Sequence, residues 1–228
     1  MRQPVPPSDE PDTAKRLLDT AERLFGERGY DGVGLRELAE AAKVNLGAAT
    51  YHYGSKEALY LEAFLRRFRP VNAERLRLLR EAEANAKGRP LAVEKIVDCM
   101  VRPPFLQGME HPEFHALLAR NLIIPPDFAG PALYREVEPN IEVFAAALRR
   151  SIPHLSEDLV RLRELFSMGA LLLFSVRVGR TRPRRNPRQE EGIIKELVRF
   201  ITAGLRSKPA VSDDERLRLP RPPKPKRQ

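Results

Sequence analysis

Along most of this chain the apolar residues recur at three- and four-residue steps, the spacing of one buried helix face, and no useful stretch alternates as a strand would. Leu17, Leu18, Ala21, Leu24 and Phe25 make the first stripe, on a helix expected to start near Thr13 and end at Gly29, which suits a left-handed C-cap. Leu35, Leu38, Ala39 and Ala42 make a second, short amphipathic helix that stops at Lys43-Val44-Asn45. Asn45 is a favourable N-cap for a third helix over 46–53, whose first turn, Leu46-Gly47-Ala48-Ala49, is built of mostly small residues. Ser55 opens a fourth helix that reaches Phe64 and resumes after Pro70 with Leu76, Leu78 and Leu79 inward. Pro70 removes a backbone donor, which predicts a kink or break near Arg69. Further helices are expected at about 91–102, 112–123, 131–150, 156–178 and 190–206, punctuated by Pro103-Pro104, Pro125-Pro126 and Pro153. The fold class is therefore all-α.

Two short helices joined by about three residues, the second barely apolar on its outer face, fit a helix-turn-helix that enters DNA. The stretches LLDTAERLFGERGYDG (17–32), LRELAEAAKVN (35–45) and above all TYHYGSKEALYLEAF (50–64) resemble the N-terminal domain of TetR family bacterial transcriptional regulators. The resemblance implies three N-terminal helices that bind DNA, followed by a larger helical domain for dimerisation and ligand sensing. On that basis residues 1–11 are expected to be a disordered arm and 12–56 the DNA-binding domain. Residues 57–206 are expected to form the ligand-binding and dimerisation domain, and 207–228 a disordered basic tail.

The resemblance also assigns roles. Arg36 is expected to reach a base or phosphate, since its planar fork donates two bonds to guanine O6 and N7. Gly47 and Ala48 fall where the family makes close base and methyl contacts, and Asn45 opens that helix. Tyr51 is the candidate for a phosphate bond through its hydroxyl, beside Thr50 and His52; His52 is equally suited to packing inward, and Tyr53 to the core. Lys56 is expected to clamp a phosphate where free amides attract anions. Two positions depart from the family pattern. Gly34 stands where a Thr or Ser cap is common, and Lys43 where a turn glycine is preferred, so Lys43 is expected to be strained.

The formal net charge of +9 favours a polyanionic partner, but it is not spread evenly. Residues 180–188 contribute +5 and residues 208–228 contribute +4, which accounts for the whole excess. Charge alone therefore does not identify a DNA-binding face. The tail is expected to solubilise the chain or to add nonspecific phosphate binding. The longest apolar run, Phe166 to Val176, is far short of the ~20 residues needed to span a membrane. With a single cysteine, Cys99, no internal disulfide can form, and a cytoplasmic location is expected.

No catalytic constellation emerges, so the chain is not expected to be an enzyme, and no cofactor is expected. His111 and His115 have a metal-ligand spacing, but Pro112 makes His111 a better cap than ligand. Cys99 reads as a buried small hydrophobe. Phe105, Met109, Phe114, Leu118, Phe144, Phe166, Met168 and Phe174 are candidates to line an effector cavity, though each also suits plain core. Arg120 and Arg177 are candidate partners for an acidic ligand, or for ion pairs within the protein. The expected whole is a homodimer formed through 156–178 and 190–206. It would bind a double-stranded, near-palindromic operator, with release by an unknown small molecule that shifts helix four. The alternatives are a regulator with no small-molecule effector, or a helical small-molecule-binding protein or enzyme with a vestigial DNA head.

Overall fold

In the computed structural model of the chain, residues 10–123, 125–181 and 186–210 are described. Among them are nine α-helices and no strand: α1 (Glu10–Arg28), α2 (Leu35–Ala41), α3 (Leu46–Tyr53), α4 (Lys56–Ala86), α5 (Val93–Glu110), α6 (Pro112–Ile123), α7 (Gly130–Ser151), α8 (Glu157–Thr181) and α9 (Pro187–Arg206). Residues 182–185 of the arginine cluster, and nearly all of the basic tail, lie outside the described residues, as does most of the N-terminal arm.

The helices form two compact units. One holds the chain up to Phe68 together with Glu113–Ala132, and the other holds Arg69–Pro112 and everything from Leu133. In the first unit Leu17 of α1, Ala39 and Ala42 of α2 and its turn, and Ala49 of α3 make a small core on which Leu35, Val44 and Tyr53 pack. Beside it Phe25 meets Tyr60 edge-on at 4.9 Å, and Tyr30 meets both Tyr60 (5.4 Å) and Phe128 (4.7 Å). Phe25 and Tyr60 are fully buried. Each such side chain removed from water contributes roughly 1.5–3 kcal/mol. Gly29 closes α1 in the left-handed region, φ 76°, its amide bonded to the Phe25 carbonyl at 2.9 Å. Helix α6 crosses α1 so closely that a Cβ on Gly26 would lie 2.6 Å from the Glu113 carbonyl oxygen. Arg120 of α6 donates to the free carbonyls of Gly26 (3.2 Å) and Glu27 (3.1 Å) near the end of α1. It serves as a C-terminal cap rather than forming an ion pair.

The core of the second unit joins Leu79 of α4, residues Val93 to Phe105 of α5, Phe144 to Leu148 of α7, Val160 and Leu171 of α8, and Ile194, Ile201 and Leu205 of α9. Arg163 of α8 donates to the carbonyls of Leu205 (2.7 Å) and Ser207 (2.8 Å), which satisfies the exposed end of α9.

Two sequence expectations about proline fail. Helix α5 does not stop at 102 but runs through Pro103 and Pro104 to Glu110. The two lost amide donors are outweighed by burial of Cys99, Met100, Val101, Pro104, Phe105 and Gly108 on the same helix. Likewise α4 is one continuous helix across Pro70, which overturns the break, though not the kink, expected near Arg69. Pro70 is exposed, so its ring fills no buried space. Pro70→Ala is therefore expected to restore a backbone bond at no packing cost and to raise stability by about 1–3 kcal/mol. Thermal unfolding checks this, and an unchanged or lowered midpoint contradicts it.

Candidate DNA-reading face and a buried polar cluster

The helix-turn-helix is locked at both ends of its turn. The amide of Lys43 bonds to the Glu40 carbonyl (3.0 Å) and that of Val44 to the Ala39 carbonyl (2.9 Å), a Schellman closure of α2. This closure needs a left-handed residue after the helix, and Lys43 occupies it at φ 57° where glycine would do so without strain. Asn45 then caps α3, its side-chain oxygen accepting from the Ala48 amide at 2.6 Å. Gly34 precedes α2 without any side-chain cap bond, as its lack of a side chain dictates.

Helix α3 attaches to its unit by little. Ala49 is its only buried residue, and Tyr53 packs on the same cluster while donating its hydroxyl to the Ala14 carbonyl at 2.9 Å. The rest faces outward: Gly47, Thr50 and Tyr51, at steps of three and four, share one exposed face, and Tyr51 is 76% exposed. Thr50 bonds back to the Leu46 carbonyl at 3.1 Å. Ala48 and His52 are half-buried, the His52 ring lying edge-on to Tyr51 at 5.3 Å. Arg36 projects from α2 with most of its side chain in solvent and a long ion pair to Glu40 (3.7 Å).

Lys56, at the first turn of α4, is not a loose cation. Its ammonium sits 3.9 Å from the centroid of the Tyr30 ring. The Tyr30 hydroxyl donates to Glu57 at 2.5 Å. Burial and the Glu57 carboxylate push the Tyr30 hydroxyl up to about 12, and the same bond draws Glu57 down to about 2. Tyr30 thereby orients the start of α4, a role that the sequence reading missed.

The predicted cavity residues are divided between the two units. Phe114 and Leu118 pack within the first unit. Phe105 and Phe144 are buried in the core of the second, and Met109 and Phe174 pack against it. The Phe105 and Phe174 rings stack at 5.7 Å. Met168 is half-buried, and Phe166 is 63% exposed on the outer side of α8. Arg177 is exposed, and Cys99 is fully buried, its thiol pushed up by that burial. His111 caps the end of α5 through its amide, bonded to Gln107 at 2.8 Å.

Helix α8 departs from the ordinary burial rule along part of its length. It exposes Leu165, Phe166 and Leu173 and buries Arg163, Glu164 and Ser167. Facing elements add a second buried cation. Arg75 of α4 donates to Asn72 at 2.8 Å, and its guanidinium lies 4.7 Å from the centroid of Phe144 on α7. Glu164 acts on Arg75 through space, but among the described residues no ion pair or hydrogen bond joins them. Arg75 Nε, Asn72 Nδ2 and Glu164 Oε2 are all buried without a hydrogen-bond partner. Burial draws Arg75 down to about 10 and pushes Glu164 up to about 7; the Arg75 and Arg161 charges only partly offset the latter.

Comparison with known proteins gives this geometry its context. Residues 17–63 match the family model for bacterial regulatory proteins of the tetR family, and residues 98–204 match the tetracyclin repressor-like C-terminal domain. The chain belongs to the TetR family. Family members bind DNA operators, act as dimers and respond to small-molecule effectors. The transcriptional repressor NemR of Escherichia coli is 36% identical over 83 residues, which are 36% of this chain and 42% of NemR. The matched stretch thus spans under half of that relative. Among solved structures, the fatty acid degradation regulator FadR of Bacillus halodurans superposes with a TM-score of 0.64 at 16% identity. That match covers 84% of this chain and 99% of FadR. The hemolysin II transcriptional regulator HlyIIR superposes at 0.59 and 21% identity over 87% of this chain and 99% of its own. At such identities these structures establish the shared fold.

Glu164 has a measurable consequence. Between its ordinary value of 4.5 and about 7, the folded chain keeps the proton that the unfolded chain has released. Its contribution to stability therefore falls as pH rises through that window, by roughly 3 kcal/mol at full extent. Glu164→Gln is expected to flatten the profile, matching the parent near pH 4 and exceeding it at pH 8. Denaturant unfolding from pH 4 to 8 tests this, and identical slopes in the two proteins contradict it.

Proposed function

We propose that this TetR-family chain is a homodimeric transcriptional repressor, acting in the cytoplasm and released from a near-palindromic operator by a small-molecule ligand. The observation that carries the reading is α3, a capped helix held by Ala49 and Tyr53 that turns Gly47, Thr50 and Tyr51 outward together. A helix so weakly committed to its own core, and so free of bulk in its first turn, suits the major groove. Arg36 and Lys56 flank it as base- or phosphate-directed cations, with Asn45 fixing its start and Ala48 and His52 its sides. The repressor assignment follows relatives such as NemR, whose name describes a transcriptional repressor.

Dimerisation is supported by the exposed apolar residues of the last two helices. Leu165, Phe166 and Leu173 of α8 and Phe200 of α9 are each 60–67% exposed. Phe166 and Phe200 line one groove with Leu159, Leu162 and Ile201. Side chains of this size left in water favour association with a matching surface. A two-fold pairing of α8 and α9 with their counterparts would cover them and would set two copies of α3 about 34–36 Å apart.

Selection from a randomised duplex pool at near-physiological salt is expected to enrich a two-fold motif with half-sites one helical turn apart. Retention with no motif overturns the reading. Tyr51→Phe is expected to lower affinity about tenfold on every sequence without changing the motif, the pattern of a lost phosphate bond. Phe166→Asp should shift the chain from dimer to monomer in sedimentation, and a dimer unaffected by the change would sink the α8–α9 pairing.

A further inference from the structure

Buried polar atoms in folded proteins are nearly always paired, and an unpaired one calls for a cause. The cluster between α4, α7 and α8 has three, on Arg75, Asn72 and Glu164, and Arg149 and Arg161, whose charges act on Glu164, each carry one more. Two of the first three, Arg75 Nε and Asn72 Nδ2, are donors, and they lie on residues one helical turn apart. The guanidinium is held in place by the Asn72 bond and by the Phe144 ring, so its donor edge is fixed in direction. The carboxylate nearest in charge, Glu164, does not close on it. The same unit also holds a buried apolar core, which includes Leu79, Phe144, Leu148 and Val160. Bare donors in such a setting match a planar acceptor that carries negative charge and an apolar body.

We infer that Arg75 and Asn72 are the recognition groups for a carboxylate-bearing effector whose apolar portion packs beside Phe144. This rests on the effector-controlled reading above and deepens it by naming the ligand class. Arg75 would donate two parallel N–H bonds to the carboxylate, with the Asn72 amide donating a third. A proton on Glu164 would allow it to donate to the same group, and a deprotonated Glu164 would oppose it. Arg161, Arg149 and Glu138 are the other charges that act on Glu164. The sequence left a signal for this site. Asn72 and Arg75 sit in register with Leu79 and Ala82, on the buried stripe of α4, where an apolar residue is the rule.

The test uses the full chain and a fixed panel: acetate, octanoate, decanoate and benzoate as sodium salts, with octan-1-ol and octanamide as uncharged counterparts. Thermal shift and calorimetric titration read binding, since a ligand confined to the folded state raises the midpoint. At least one of the longer or aromatic carboxylates is expected to bind while the uncharged compounds do not. Arg75→Met, similar in length and uncharged, should weaken binding at least tenfold while remaining folded. Asn72→Ala gives a smaller loss and serves as the second variant should Arg75→Met not fold. The inference is overturned if no carboxylate binds, if octanol or octanamide bind as well as octanoate, or if the variants bind as the parent does; the donors then hold water only. Release of the selected operator is measured separately. A carboxylate that binds through Arg75 without releasing DNA upholds the site and removes the effector role proposed above.

Discussion

Removing an ionised group from water costs several kcal/mol unless charge and hydrogen bonds replace the lost hydration. The second unit meets that cost at Arg75 and Glu164, on helices that pack face to face with apolar neighbours. Arg163, on α8 as well, is buried but tied down, because its Nη1 donates to two carbonyls at the end of α9. Arg75 has only Asn72 and an aromatic face. The contrast between two buried arginines of one unit separates a cation that holds helices together from one whose chemistry is left open.

The same constraint explains why α8 has so little amphipathic character in sequence. Arg163, Glu164 and Ser167 point inward beside Val160 and Leu171, while Leu165, Phe166 and Leu173 point to solvent. Each face mixes apolar and polar residues, and the mixture weakens the helix's signal in a simple hydropathy reading. What marks the helix is the pairing of an inward charge with an outward phenylalanine one or two positions away.

Much of this was legible in the chain itself. The bounds of α6 and the capping of α3 by Asn45 follow from local rules, as do the left-handed strain at Lys43 and the closure of α1 at Gly29. The prolines of α4 and α5 misled, because a local rule was overridden by packing that only the folded chain reveals. The exposed face of α3 was readable in its small and polar residues. The predicted pocket residues were not separable from core: Phe105 and Phe144 have the same composition signal as a cavity wall, and Phe166 differs from them only in which way α8 turns. Arg120 was a plausible acid receptor until its two carbonyl partners, distant in sequence, came into view. Asn72 and Arg75 broke the buried stripe of α4 visibly, but nothing local tells that Phe144 and Glu164 face them.

Gly26 works as a gauge for the crossing of α1 and α6. With 2.6 Å between its would-be Cβ and the Glu113 carbonyl oxygen, even a methyl group there collides with backbone, which cannot rotate aside as a side chain can. The first turn of α6 is therefore seated at one depth on α1, and Arg120, two turns further along, arrives in register with the last carbonyls of that helix. The missing side chain thus acts as a spacer of zero thickness, setting the reach at which an arginine can finish its neighbour.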